Sequence, residues 1–176
     1  IFKHAQIIQN PDKLDMTPVI MSKGGLLNLN KKNTHIAIDV CLLALHGGAG
    51  ENGGVQGLCD LFDIPYTGLR QWGAAVAMNK WVCKSHLKEQ GVHVLPGVKI
   101  DRPSDISELN DFDISVHNID FPVCVKPCSL GSSIGVGFAQ DQATMLELLM
   151  SVFEYDDMAI IEPAVKNLKE FNVAVL

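Results

Sequence analysis

Lys126 is followed by Pro127, Cys128 and a run of small residues, Ser129-Leu130-Gly131-Ser132-Ser133-Ile134-Gly135. A lysine ending a buried strand, then a turn rich in Gly and Ser, suits an anion. Backbone N–H groups approach phosphate oxygens closely, hydroxyls add donors, and the ammonium supplies charge. The lysine precedes the glycines and no G-K-[ST] occurs, which excludes a Walker A loop. The loop also joins two expected strands, which excludes the dinucleotide fingerprint. An ordinary hairpin with one snorkelling lysine is the competing explanation.

A second glycine-rich loop, His46 to Gly54, carries His46 and Glu51 among five glycines. Glycine there permits positive φ and close ligand approach. The plainer alternative is a strand-to-helix turn in which Glu51 caps the following helix. Lys80 opens an expected helix, where a cation opposes the macrodipole and calls for an anionic partner: a phosphate, or Asp63 or Glu51. Lys84 and Lys88 follow at four-residue spacing and read as a solvated face. Ile160-Ile161-Glu162-Pro163-Ala164-Val165 leaves a strand through a proline. Such a hinge exposes backbone groups that an adenine edge can read, or else is a strand end with a surface Glu162.

These residues need a framework of alternating elements. A helix tail over 2–9 is expected, then a hairpin of Met16–Met21 and Leu26–Leu29 around Ser22-Lys23-Gly24-Gly25. Ile38–Leu45 has the near-continuous apolar pattern of a strand buried on both faces. Helices are expected over Val55–Phe62, Gln71–Met78, Lys80–Gln90 and Gln142–Phe153, the last capped by Asp141. Strands are expected over Val92–Val98, Phe121–Lys126, Val136–Ala139, Ala159–Glu162 and Phe171–Leu176, with a polar, mixed stretch over Arg102–Asn118. A domain boundary is expected near Gly68.

Composition limits the function classes. Of 176 residues, 47% are hydrophobic and 19% charged, which suits a packed core. A formal net charge of −6 argues against a general nucleic-acid binder. The longest apolar run, Val40–Leu45, is too short to cross a bilayer. Five cysteines without a C-x-x-C pair read as buried thiols and point to the cytosol. No secretory signal opens the chain. It begins at Ile1 rather than Met and stops inside an expected strand, so both ends read as cuts.

In combination the segments resemble the D-alanine–D-alanine ligase family of the ATP-grasp superfamily. The resemblance rests on His46-Gly47 through Gly50-Glu51-Asn52-Gly53, Gln56-Gly57, Ile64-Pro65-Tyr66-Thr67-Gly68 and Ala77-Met78-Asn79-Lys80. It continues through Val125-Lys126-Pro127, Gly131-Ser132-Ser133-x-Gly135, Glu162 and Lys169-Glu170 onward to Leu176. It implies an α/β chain, α+β in its central part. A partial Rossmann-like pre-ATP-grasp domain (1–68) would precede an ATP-grasp central subdomain (69–162) and the start of the C-terminal ATP-grasp subdomain (163–176).

The implied reaction uses ATP and Mg2+ to phosphorylate one D-alanine. A second D-alanine attacks the acyl phosphate, giving the peptidoglycan dipeptide. By the same resemblance Lys80 and Lys126 would hold nucleotide phosphates, and Gly131, Ser132 and Ser133 would form the loop over them. Ser132, also near the first D-alanine, is the expected catalytic residue. Glu162, Pro163 and Val165 would lie at the adenine hinge, with Val165 offering its N–H, and Glu170 at the ribose. His46 and Glu51 would shape the first D-alanine pocket, where Asn52 replaces the usual aspartate.

No residue of the chain is expected to bind metal, since the family's magnesium ligands should follow Leu176. The 176 residues alone are therefore expected to be inactive, and the intact protein to be a cytoplasmic homodimer without nucleic-acid or membrane partners. Lys166-Asn167-Leu168-Lys169-Glu170 resembles ligases of the vancomycin-resistance kind, so D-Ser or D-lactate is an alternative second substrate. A catalytically silent nucleotide-binding module is the reading from another class.

Overall fold

A computed structural model describes residues 17–31 and 34–173. The expected helix tail over 2–9, residue Met16 and the end of the expected last strand (174–176) lie outside the described residues. The chain divides into two compact units, residues 1–43 with 56–68, and residues 44–55 with 69–176.

The first unit carries an antiparallel meander of β1 (Val19–Ser22), β2 (Gly25–Asn28) and β3 (Thr34–Ala37). Ser22 pairs with Gly25 across a two-residue turn, Lys23-Gly24, in which Gly24 has φ 67°. This is the hairpin that the polar Ser-Lys-Gly-Gly break predicts. Most of helix α1 (Gly54–Leu61) belongs to this unit and buries Cys59.

Ile38–Leu45 is not the expected buried strand. Val40, Leu42 and Leu45 are exposed, and the only pairing among the described residues is one parallel bridge from Cys41 to Tyr66. An apolar run becomes a strand where neighbours supply the ladder, and here only the Cys41 step finds one. Its bonds are Cys41 N–H to the Pro65 carbonyl (2.7 Å) and Thr67 N–H to the Cys41 carbonyl (3.0 Å).

The second unit is built on a four-stranded sheet. Its strands are β4 (Val98–Asp101), β5 (Val123–Pro127), β6 (Gly137–Ala139) and β7 (Met158–Pro163), in the order β4-β7-β5-β6, every neighbour antiparallel. The strand expected over Val92–Val98 forms later, at β4. Because side chains alternate along a strand, Val123, Val125, Ala159 and Ile161 share one face. They are fully buried against Met145, Leu149 and Val152 of helix α4 (Gln142–Val152). Asp141 caps α4 as expected, its carboxylate accepting from the Thr144 N–H at 2.8 Å. Leu109 and Ile114, from two short 3-10 turns within the polar 102–118 stretch, complete the core.

The same alternation assigns Cys124, Lys126 and Glu162 to the face away from α4. Helices α2 (Gln71–Met78) and α3 (Lys80–Glu89) also belong to this unit. Asn79 separates them and caps α3, its side chain accepting from the Val82 N–H at 3.0 Å. Phe171–Val173, expected to begin a last strand, has no regular structure and is exposed.

Candidate functional site

The register of β5 on β7 sets Cys124 opposite Glu162 and Lys126 opposite Ile160. Lys126 is thus a diagonal neighbour of Glu162 on one face of the sheet, within reach of a long side chain. Its Nζ ion-pairs with Glu162 Oε2, while Lys84 Nζ, from α3, takes Oε1. Glu162 is 4% exposed, so it is not the surface glutamate of the plainer explanation. Burial works to raise the pKa of Glu162, but hydrogen bonds and charge from Lys126 and Lys84 override it and hold the carboxyl below its usual 4.5. Lys84 is correspondingly not on a solvated face, whereas Lys88, one turn further, is exposed.

Lys80 is tied to the glycine-serine loop rather than to Asp63 or Glu51. Its backbone N–H donates to the Cys128 carbonyl at 2.8 Å, and its Nζ donates to the Leu130 carbonyl. Burial lowers its pKa from the usual 10.5, and the charge of Lys126 adds to that; Cys128, Asp156 and Glu162 oppose it. An amine held in this way gains from a neighbouring anion.

The loop leaves β5 through Cys128, whose N–H donates to the Met158 carbonyl (3.0 Å). Asp156 anchors it by accepting from the Ser129 N–H at 2.6 Å. Two successive turns follow, Ile134 N–H to the Gly131 carbonyl and Val136 N–H to the Ser133 carbonyl. They place Ser132 (φ 52°), Ser133 (φ 58°) and Gly135 (φ 70°) in the left-handed region. Gly131, Ser132 and Ser133 are exposed. Ser132 and Ser133, both left-handed, are the central pair of the first turn, and their small side chains leave the loop backbone open to an anion.

Lys80, Lys126, Gly131, Ser132, Ser133, Glu162, Pro163, Val165 and Glu170 all line one open cavity of about 740 Å³. Ala164 N–H donates to the Pro122 carbonyl at 2.9 Å, and among the described residues nothing accepts from the Val165 N–H. Apolar walls come from Leu168 and from residues the motifs did not single out: Leu95, Cys124, Val136 and Phe138. Strand alternation carried the signal for two of them, because Cys124 pairs with Phe138 on the Lys126 face. A slot with apolar sides, two lysines and a donor-rich loop can hold a flat heterocycle at one end and phosphates at the other.

His46 and Glu51 do not line this cavity. Both are exposed, and Glu51 Oε2 accepts from the Gly47 N–H at 2.7 Å, closing its own loop instead of capping α1. The start of α1 is served by Asn52, whose Oδ1 accepts from the Gly54 N–H at 3.0 Å. Aspartate offers the same acceptor, so Asn52 keeps this turn while shedding a charge. Gly53 (φ 93°) must be glycine, because a Cβ there would lie 2.4 Å from the Gln71 carbonyl oxygen. Asn52–Gly54 lines a smaller hollow of about 380 Å³ with Asn79 and Ser129, so this loop and the Lys126 loop meet there.

Among the described residues no three His, Cys, Asp or Glu side chains cluster, and both Glu162 oxygens already carry lysines.

The solved structures on which the chain superposes include D-alanine–D-alanine ligases, which gives it their ATP-grasp fold. Family models for the D-ala D-ala ligase N-terminus and C-terminus match residues 4–69 and 86–176. The chain belongs to the D-alanine–D-alanine ligase family.

A D-alanine–D-alanine ligase of Thermosipho africanus is 34% identical over 157 residues, 89% of this chain and 42% of that protein. The Helicobacter pylori D-alanine–D-alanine ligase structure superposes with TM-score 0.77 at 27% identity, covering 89% of this chain and 46% of that one. The VanG D-Ala:D-Ser ligase of Enterococcus faecalis gives TM-score 0.75 at 26% identity, over 85% and 43%. A Bacillus anthracis D-alanine–D-alanine ligase complexed with ATP gives TM-score 0.63 at 33% identity, over 73% and 41%. The chain spans about half or less of the length of the curated relatives it matches. No helix among the described residues is long and apolar enough to cross a membrane.

Proposed function

We propose that this chain is the nucleotide-facing part of an ATP-dependent ligase that joins two D-alanines through a D-alanyl phosphate, supplying the dipeptide for peptidoglycan. The observation that carries this reading is the convergence of Lys80, Lys126 and the Gly131–Ser133 loop on one cavity whose other walls are apolar. Lys126 and Lys80 meet the phosphates, and the backbone N–H groups of the loop cover them. Such fixed donors stabilise the charge that spreads over a transferring phosphoryl group. Phe138, Val136 and Leu168 flank the base, the Val165 N–H reads its edge at the Glu162–Val165 hinge, and Glu170 meets the ribose. Ser132 lies where the loop borders the first D-alanine. His46 and Glu51 belong to the substrate-side loop and shape that amino acid's pocket from outside the cavity.

In this reading residues 1–68 form the substrate-side domain, 69–162 the central ATP-grasp subdomain, and 163–176 the beginning of the C-terminal one. Mg2+, needed for phosphoryl transfer in the family, is held by groups other than the residues described. The intact protein is a cytoplasmic homodimer; the five free cysteines of this chain suit a reducing compartment.

The test is ADP release coupled to D-alanine, run on the intact protein and on this 176-residue chain. The intact protein is expected to turn over and the chain alone to be inactive. An intact protein that releases no D-alanine-dependent ADP rejects the reading, and turnover by the chain alone rejects the division of labour. A second reading, D-Ser or D-lactate as the second substrate, is favoured by the likeness to the D-Ala:D-Ser ligase. Product identification with D-Ala, D-Ser and D-lactate in competition separates the two.

A further inference from the structure

Glu162 is held by two lysines in different positions. Lys126 lines the 740 Å³ cavity, whereas Lys84 lines a separate groove with Trp81, Ser85, Lys88 and Pro96. The Lys84 side chain is 16% exposed; besides Glu162 Oε1 it bonds the Leu95 carbonyl at 2.5 Å. Lys84 follows Lys80 by one helical turn, so α3 presents one lysine to the cavity and one to the carboxylate behind it.

A buried carboxylate beside a phosphate-binding lysine is a competitor for that lysine. With Lys126 alone, Glu162 would form a closed pair of zero net charge, and an arriving anion would have to break it. With Lys84 on the other oxygen, two ammonium charges face one carboxylate, and the trio keeps one positive charge for the cavity. We propose that Lys84 is a positioning residue for nucleotide binding, which occupies Glu162 from outside the cavity and so frees Lys126 to engage phosphate. This rests on the reading of the cavity as a nucleotide site. Lys84 touches no part of the nucleotide; it acts through Glu162 and Lys126.

The experiment compares the affinities of the full-length protein for ATP and for adenosine, which lacks phosphates, by titration calorimetry. Lys84→Met should weaken ATP on the order of tenfold while adenosine changes by less than about twofold. Lys84→Arg should restore most of the loss. Adding Glu162→Gln to Lys84→Met removes the competing carboxylate and should recover the ATP-to-adenosine ratio of the parent. Unchanged ATP affinity, equal losses for both ligands, or no recovery in the double variant overturns the role of Lys84. A parent protein that binds neither ligand overturns the nucleotide reading itself, and this inference with it. If Lys84→Met does not fold, Lys84→Gln, which keeps a donor beside Glu162 but no charge, is titrated in its place. A selective loss of ATP affinity supports the proposal, and a parent-like ratio overturns it.

Discussion

Glu162 sits directly across from Cys124 in the antiparallel pairing of β5 and β7. This register makes Lys126 the diagonal neighbour of Glu162 and turns both toward α3, where Lys84 closes the arrangement. The electrostatics of the cavity therefore depend on a strand register that the buried Val123, Val125, Ala159 and Ile161 lock. A slip of one residue by either strand would turn that strand's two residues out of the core.

Replacing Glu162 by Gln leaves two lysines facing a neutral amide. Removing one member of a buried ion pair costs about 3 kcal/mol or more, and that loss is expected in urea unfolding at neutral pH. The pH dependence gives a second check. The pKa of Glu162 is lowered on folding, so its contribution is complete above a glutamate's usual 4.5 and fades as pH falls through the lower folded value. The difference in stability between parent and Glu162→Gln should shrink on acidification. A constant difference down to the acid limit would show that the pair contributes nothing through charge.

Lys80 supplies a prediction at the alkaline end. Its amine gives up its proton below a lysine's usual 10.5, so folding carries a cost from the charged form that disappears as pH rises toward that value. A bound phosphate reverses the preference, because the anion favours the ammonium. ATP binding by the full-length protein should take up protons as pH approaches a lysine's usual 10.5 from below, and affinity should decline there as Lys80 neutralises. Lys80→Arg, always charged, should move the decline to higher pH. Calorimetry in buffers of different ionisation enthalpy measures the uptake, and identical profiles for parent and Lys80→Arg would exclude Lys80 as the group.

Cysteine reactivity follows burial. Burial, with Asp156 adding to it, pushes the Cys128 thiol up to about 11, and burial also raises Cys124 and Cys59. The thiolate is the reactive form, so these three should resist a disulfide reagent at neutral pH. Cys41 and Cys83, both partly exposed, should react first. Peptide mapping after brief labelling of the native chain decides, and early modification of Cys128 would contradict its burial beneath the loop.

Local signals were readable in the chain, and non-local ones were not. Asp141 announces α4 because a cap acts on N–H groups within its own turn. The Gly131–Gly135 run announces a tight loop because its residue types tolerate positive φ. Lys84 reads as a surface residue, and Glu162 as either a hinge or a surface residue, because their burial arises only when β5, β7 and α3 meet. No window of sequence contains all three. Ile38–Leu45 failed in the opposite direction: its apolar pattern is that of a covered strand, yet only Cys41 forms a β-bridge among the described residues. Phe138 and Cys124 lay between these cases, since alternation from Lys126 identifies their face once the two strands are paired.

Gly97 is the remaining contact on which the Glu162 geometry depends. A Cβ there would lie 3.2 Å from Glu162 Cγ and 3.2 Å from the Ile161 carbonyl oxygen. The carbonyl belongs to the β4–β7–β5 sheet and cannot easily yield, so the glutamate stem must move. Gly97→Ala should cost roughly 1–3 kcal/mol as an overpacked site. A shift of a few tenths of an ångström at Cγ is amplified at the carboxylate, where two lysines converge. ATP affinity of the full-length protein should therefore fall together with stability. Gly73→Ala, on α2, meets only Leu69 side-chain atoms at 3.8 Å or more and serves as the control. It should leave ATP binding unchanged and, as a glycine replaced inside a helix, raise stability by up to about 1 kcal/mol. Parallel urea and ATP titrations of the two variants make the comparison; a Gly97→Ala protein with parental ATP affinity would show that Glu162 tolerates displacement.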